Sequence, residues 1–330
     1  MSHDHVWGEL GHWKGLPNAE LVAGGDDDPE LTGKLKSQFG VPRTYPSWQE
    51  MIEKEPLDIV QVAGGNSEGA DIVEAAAAKG IHVISEKPMA ATLAQAQRML
   101  TAAKSAGTLL LINWPSAWSK EWQELERRAL AGEIGQLRYT RYRSAHNGPI
   151  AIGCSKQFVA DLTNPEINGA GALMDYCCYG AKLAARLLGR PESVTGLRGF
   201  FGTEQAYAAS DDNAIIIAKY PHAFGVCEAS WTQTVGYAGT NPVVYGSEGS
   251  IGIHHGKVLI QRPGKDEEAV APPDKVAPMQ NGPEYLVHCI ETGQPVEGFC
   301  SPENSLIAQE ILELGLRASN TGETQKVGAS

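Results

Sequence analysis

Three apolar runs constrain the first half of this chain: Asp58-Ile-Val-Gln-Val-Ala63, Ile81-His-Val-Ile-Ser85 and Thr108-Leu-Leu-Leu-Ile-Asn113. Each is short and rich in branched residues. Between them lie stretches of helical composition, an Ala-rich one over 68–79 and another over about 92–105. Strands that alternate with helices of this length need right-handed crossovers and pair in parallel. Their uniformly apolar character places helices on both faces of the sheet. The segments before them continue the pattern. A helix and turn occupy 1–19, Glu20–Gly25 is a strand, Asp28-Pro29 opens a helix over 30–39, and Ser47 caps another. This is a doubly wound α/β architecture, which binds its ligand outside the C-terminal ends of its strands. Asp26, Asn66, Glu86, Lys87 and Asn113 all stand at such ends. A lysine closing a strand is often merely solvated, and it is this shared placement that favours a site.

Such a sheet also needs a first strand and a Gly-rich turn whose N–H groups approach a pyrophosphate. Neither is present. Ser2-His3-Asp4-His5 reads as the tail of that turn entering the first helix. The parallel sheet is therefore expected to be incomplete at its start, through a missing beginning or through loss of the central strand and much of the cofactor site. Gly24-Gly25 and Gly64-Gly65 do not replace the turn, because each closes a later strand.

After residue 117 the pattern changes. An amphipathic helix over 119–131 ends at Gly132-Glu-Ile-Gly135, and Gln136–Ala145 alternates as a strand. Residues 150–168 read as irregular, and a helix runs from about Gly169 to Leu188. Runs at 194–201, 213–220, 223–232, 243–246, 250–254 and 257–261, joined by short turns, indicate an antiparallel sheet. Segment 263–282 reads as a surface loop, and Pro283 and Pro302 start two final helices. The expected organisation is a dinucleotide-binding (Rossmann-like) domain over 1–117 and an α+β substrate and oligomerisation domain over 118–330.

The 39 acidic against 27 basic residues give a net charge of -12, which disfavours nucleic acid and anionic membranes as partners. No apolar run approaches the ~20 residues of a membrane span. Six cysteines without C-x-x-C spacing form neither a zinc pattern nor a disulfide framework, so a reducing, cytoplasmic compartment is expected. His3, His5 and His12 have no acidic or thiol partner at ligand spacing in the sequence, and no metal is expected. Trp118 and Trp122 read as core or contact residues. His146, with Asn147, lies in a loop within reach of a substrate, with a solvated loop as the alternative.

Taken in order, several motifs resemble the Gfo/Idh/MocA oxidoreductases, the group of glucose–fructose oxidoreductase and inositol dehydrogenase. They are Asn66, Glu86-Lys87-Pro88, Gly132-Glu-Ile-Gly135, Gly169-Ala-Gly-Ala-Leu-Met-Asp175-x-x-x-Tyr179, Ser230-Trp231-Thr232 and Val244-Tyr-Gly-Ser-Glu-Gly-Ser250. The resemblance spans nearly the whole chain from residue 3. It implies that Lys87 contacts a substrate hydroxyl near a nicotinamide, that Glu86 meets the nicotinamide ribose and that Asp175 faces the substrate. Where most members carry His, this chain has Tyr179, as in the glucose–fructose oxidoreductase and dihydrodiol dehydrogenase branches. The proton carrier is thereby left open. An oligomer, dimer or tetramer, is implied by a sheet face that usually pairs.

Hydride transfer from an alcohol needs a group that takes the hydroxyl proton. Asp175 and Tyr179 are four apart on one helix face. A phenol of pKa ~10 is a poor base unless a cation lowers it, and Lys87 is the candidate cation. Asp26 can accept both hydroxyls of the adenosine ribose and would repel a 2′-phosphate, which favours NAD over NADP. Asn113 lines the nicotinamide side. The expected activity is NAD(P)-dependent oxidoreduction of a sugar, polyol or related cyclic alcohol. The alternatives are a non-catalytic nucleotide or sugar sensor on the same fold and an NAD-assisted glycosidase.

Overall fold

The structure is a computed structural model describing residues 1–236 and 239–328. Its first half runs α1 (His5–Gly15), β1 (Ala23–Gly25), α2 (Pro29–Lys34), β2 (Arg43–Tyr45), α3 (Trp48–Lys54), β3 (Ile59–Val62), α4 (Gly69–Ala77), β4 (His82–Glu86), α5 (Leu93–Ala106) and β5 (Leu110–Asn113). Local chemistry sets the helix starts. Asp28 accepts the Glu30 N–H, Ser47 accepts the Glu50 N–H, and Thr92 with Gln95 closes a capping box, each occupying donors that the helix itself leaves free.

β3, β4 and β5 pair in parallel, with Val60 opposite Val83 and Ile84 opposite Leu111. β1 and β2 pair only with each other. Between the open edges of β1 and β3 lies a cavity of about 890 Å³, lined by residues including Leu10, Gly24, Val60, Val62 and Ile72. Two separate parallel pieces flanking a gap are the geometry expected of a doubly wound sheet without its first strand.

The second half runs α6 (Lys120–Leu130), β6 (Leu137–Ala145), α7 (Lys156–Leu162), α8 (Pro165–Asn168), α9 (Ala172–Leu188), β7 (Ser193–Gly199), β8 (Asn213–Lys219), β9 (Phe224–Ser230), β10 (Val243–Gly246), β11 (Ser250–His254), β12 (Lys257–Gln261), β13 (Glu268–Val270), α10 (Gly282–Thr292), α11 (Pro302–Thr321) and β14 (Gln325–Lys326). The strands form one sheet in the order β13-β12-β11-β10-β6-β9-β8-β7-β14. It is antiparallel except where β6 lies parallel to β9. One face carries α9, which fits so closely that a Cβ on Gly180 would lie 2.8 Å from Cys227. The paired positions Leu197, Ile215 and Glu228 lie on the other face.

Two expectations are corrected. Residues 150–168 are not irregular: Ser155 caps α7 by accepting the Phe158 N–H, and Asn164 caps α8. The first of these helices buries only Phe158 and Leu162, too few apolar positions to show a period. The loop over 263–282 also contributes β13, an edge strand whose alternation is hidden by exposure on both sides.

α11 joins the two halves. It packs on α9 and β7, and also on α5 and β5. Glu313 accepts the Leu93 N–H at 2.6 Å, and Gln309 accepts the Ala90 N–H at 3.4 Å. The same helix therefore buries Ile311 and Leu312 and satisfies backbone at the start of α5.

Candidate active site

The tip of β4 and the first turns of α9 meet. Glycine makes the approach possible: Gly169 has φ +93°, and a Cβ there would sit 2.5 Å from the Ala91 carbonyl oxygen. Asp211, between β7 and β8, caps α9 by accepting the Gly171 and Leu173 N–H groups at 3.1 and 2.6 Å. Arg198 donates to the same carboxylate at 3.0 Å. With the helix so placed, Asp175 accepts a hydrogen bond from Lys87 Nζ at 2.9 Å, and both residues are buried. Lys87 Nζ also lies 5.1 Å from the centre of the Tyr179 ring. The Lys87-Pro88 peptide is cis.

Burial works against the Lys87 ammonium, but Asp175 outweighs it, with help from Tyr179 and Cys178, and the pKa stands well above an ordinary lysine's. The lowered phenol pKa expected for Tyr179 is not found. Burial pushes it well up, and the opposing pull of Lys87 does not offset this. The ring stands edge-on to Trp114, Tyr142 and Tyr176, so Tyr179 belongs to an aromatic wall.

His146 is half-buried, its ring 4.7 Å from that of Tyr176. Nδ1 accepts the Gly148 N–H at 2.8 Å, which leaves Nε2–H as the group it can offer. Burial lowers its pKa, and the charges of Asp175 and Lys87 both reach it. It is part of the corner and not a solvated loop residue.

The other expected residues lie around this corner. Asn113 donates to Glu86 at 2.7 Å and accepts from Trp118 at 2.8 Å. The second Glu86 oxygen meets His5 Nδ1 at 3.1 Å. His5 thus has an acidic partner that no ligand spacing in the sequence marks: Glu86 is 81 positions away, and the fold alone brings them together. Asn66 donates to Asn168 Oδ1 at 2.6 Å. Asp26, at the tip of β1, accepts the Asp28 N–H at 2.9 Å and pairs with the Met1 ammonium.

α7 and α8 lie as a strap across these strand tips. Lys156 reaches Glu30 at 2.6 Å, Gln157 reaches Asp28 at 2.9 Å, Ser2 donates to Asp161, and the Ser67 N–H donates to the Ile167 carbonyl at 3.0 Å.

Two buried residues escaped the sequence reading. Lys182, one turn past Tyr179, is fully buried and donates to Ser305 Oγ at 3.0 Å. Among the described residues it has no carboxylate partner, and burial lowers its pKa to about 7. Glu9 on α1 is also buried, and its Oε2 has no hydrogen-bond partner among the described residues. A lysine inside the Ala-Leu pattern of α9 was the available signal for the first.

A dinucleotide fits the two ends of this array. Asp26 lies at the tip of β1, and Asn66, Glu86, Lys87 and Asn113 lie at or just past the other strand tips, with Asp175 opposite Lys87. The described segment before α1, Ser2-His3-Asp4, has no glycine.

Residues 8–114 match the sequence model described as the oxidoreductase family with NAD-binding Rossmann fold, GFO_IDH_MocA, and residues 122–252 match the GFO/IDH/MocA C-terminal domain. The chain is 25% identical over 241 residues to the myo-inositol 2-dehydrogenase of Thermotoga maritima, covering 72% of this chain and 69% of that protein. It is 34% identical over 135 residues to the D-apiose dehydrogenase of Paraburkholderia graminis, covering 40% of this chain and only 36% of that protein. Among solved structures, an aldose–aldose oxidoreductase from Caulobacter crescentus superposes with a TM-score of 0.78 at 24% identity, over 96% of this chain and 95% of that one. A levoglucosan dehydrogenase in complex with NADH and levoglucosan does so with a TM-score of 0.78 at 17% identity, over 99% and 96%.

Proposed function

The chain belongs to the Gfo/Idh/MocA oxidoreductase family, and from that premise we propose that it transfers a hydride between NAD and an alcohol carbon of a sugar, polyol or related cyclic alcohol. In this reading residues 1–117 hold the dinucleotide and residues 118–330 the substrate. The observation that carries it is the buried Lys87–Asp175 pair, 2.9 Å apart at the tip of β4.

The bound dinucleotide supplies the hydride acceptor or donor. The chain's own residues do the rest. Lys87 Nζ presents N–H groups to the substrate oxygen; in the reducing direction it gives that oxygen a proton and is left as the amine, and in the oxidising direction the amine takes the hydroxyl proton and becomes the ammonium. Asp175 fixes the direction of Nζ and balances its charge in a site from which water is excluded. His146 offers Nε2–H to a second oxygen of a polyol. The Tyr179 ring closes the side of the corner and keeps its own proton. Asp26, Asn66 and Asn113 are the residues proposed to hold the dinucleotide, with Glu86 at the nicotinamide ribose. The carboxylate of Asp26 disfavours a 2′-phosphate. The outward residues Leu197, Phe224 and Tyr245 support a homo-oligomer. Six free cysteines are compatible with the cytoplasm, and no helix among the described residues is long and apolar enough to cross a membrane.

The test is NAD binding by titration, followed by reduced-nicotinamide absorbance across a sugar and polyol panel. Turnover that is lost in Lys87→Met while NAD still binds is the expected result. NAD binding without turnover on any substrate would select a nucleotide-sensing protein instead. That second reading is favoured by one observation: both Glu86 oxygens are already engaged, by Asn113 and His5.

A further inference from the structure

His3, His5 and Glu86 each present a ligand atom, and the three atoms lie within 4.8 Å of one another. We propose that they form a site for one divalent metal ion of the zinc class, held by two imidazoles and one carboxylate.

The ligand types and their spacing fit such an ion. His3 is buried beside Phe158. In a tetrahedral zinc site with bonds of ~2.0–2.2 Å, neighbouring ligand atoms are about 3.3 Å apart. The His5 Nδ1 to Glu86 Oε2 separation is 3.1 Å. The remaining Glu86 oxygen is held by Asn113 at 2.7 Å, the outer hydrogen bond that orients a ligating carboxylate. The bond from the His5 backbone N–H to His3 Nδ1, at 3.3 Å, is the longest in the cluster.

A second observation points the same way. Glu9 stands one turn after His5 on α1, is buried, and leaves Oε2 without a partner among the described residues. Two buried carboxylates side by side repel, and a dication between α1 and the tip of β4 relieves both. Three protein ligands leave a coordination position open, the arrangement of sites that bind an exchangeable oxygen.

The experiment is titration of EDTA-stripped full-length protein with Zn²⁺ by calorimetry and with Co²⁺ by visible absorption, both without dinucleotide. One ion per chain with tetrahedral Co²⁺ bands is expected. His5→Ala should abolish the bands. Asn113→Ala, which removes the outer hydrogen bond to Glu86 along with the one from Trp118, should weaken Zn²⁺ by about 10-fold. His222→Ala, exposed in the turn between β8 and β9 and far from the cluster in the sequence, should change nothing. Absence of binding, or binding that survives His5→Ala and falls with His222→Ala, overturns the site. Because His3→Ala opens a buried space, Glu86→Gln is the second ligand variant: it keeps the shape and must lose the ion. The readout is independent of turnover, so failure of the dehydrogenase reading leaves this test intact.

Discussion

Lys87 and Lys182 are both fully buried, one facing α9 and the other projecting from it, yet they live under opposite electrostatics. Lys87 faces Asp175 at 2.9 Å, and its charge is held. Lys182 has a serine hydroxyl at 3.0 Å and the faces of Trp114 and Phe299 at 5.6 and 5.5 Å, and its pKa falls to about 7. Desolvation opposes both ammonium groups, and only a carboxylate is strong enough to overcome it. The comparison teaches that burial alone does not mark a working lysine; the partner does.

The comparison breaks most sharply at Asp175. Asp175→Asn keeps the shape but strips Lys87 of its counter-charge, and an orphaned buried charge costs about 3–5 kcal/mol. Denaturant unfolding should show that loss, together with a fall in turnover. A double variant, Lys87→Met with Asp175→Leu, should recover most of the stability and none of the activity. A single variant within 1 kcal/mol of wild type would mean the pair is not the buried unit described.

Lys182→Met is expected to move stability the other way, by about 1–4 kcal/mol at neutral pH and below. The sign follows from linkage. With a folded pKa near 7 and an unfolded value near 10.4, the native state binds fewer protons than the unfolded state between those values. Wild-type stability therefore rises with pH across that window, and the full penalty is present below it. Thermal melts at several pH values should show a slope in wild type that is absent from Lys182→Met.

Ser305→Asp gives Lys182 the carboxylate it lacks. The same melts should then lose their alkaline slope, because the lysine is charged in both states. A retained slope would show that distance to a carboxylate is not what separates the two lysines. The smallest effect is expected from Tyr179→Phe, which keeps the ring over Lys87. Stability should stay within about 0.5 kcal/mol. Affinity for substrate should change less than in His146→Ala, since His146 offers a hydrogen bond and Tyr179 forms a wall. Comparing KM for the two variants checks this.

Much of this corner was legible because strand tips are legible. Apolar runs that end in polar residues place Asp26, Asn66, Glu86, Lys87 and Asn113 at strand ends, and the spacing from Asp175 to Tyr179 places both on one helix face. What was hidden depends on residues far apart in sequence. Glu86 meets His5 across 81 positions. Asp211 caps α9 from a loop 38 positions beyond Leu173, and an acid doublet in a loop carries no mark of that task. Lys182 meets its hydroxyl partner 123 positions away. The protonation of Tyr179 also could not be read, since it turns on a contest between burial and one cation that only packing decides. The helices of the strap were missed because two buried side chains do not make a period.

The last long helix, α11, has a consequence for how the molecule is made. It seats on α5 and β5 as well as on β7 and α9, and α10 covers α1 and β4. As the chain emerges from its amino end, the parallel strands are synthesised early, but two of their covering helices arrive last. The first half must wait with an apolar flank uncovered until residue 321 has left the ribosome. The two halves thus share one completion event, and a chain stopped short of Pro302 would leave both unfinished.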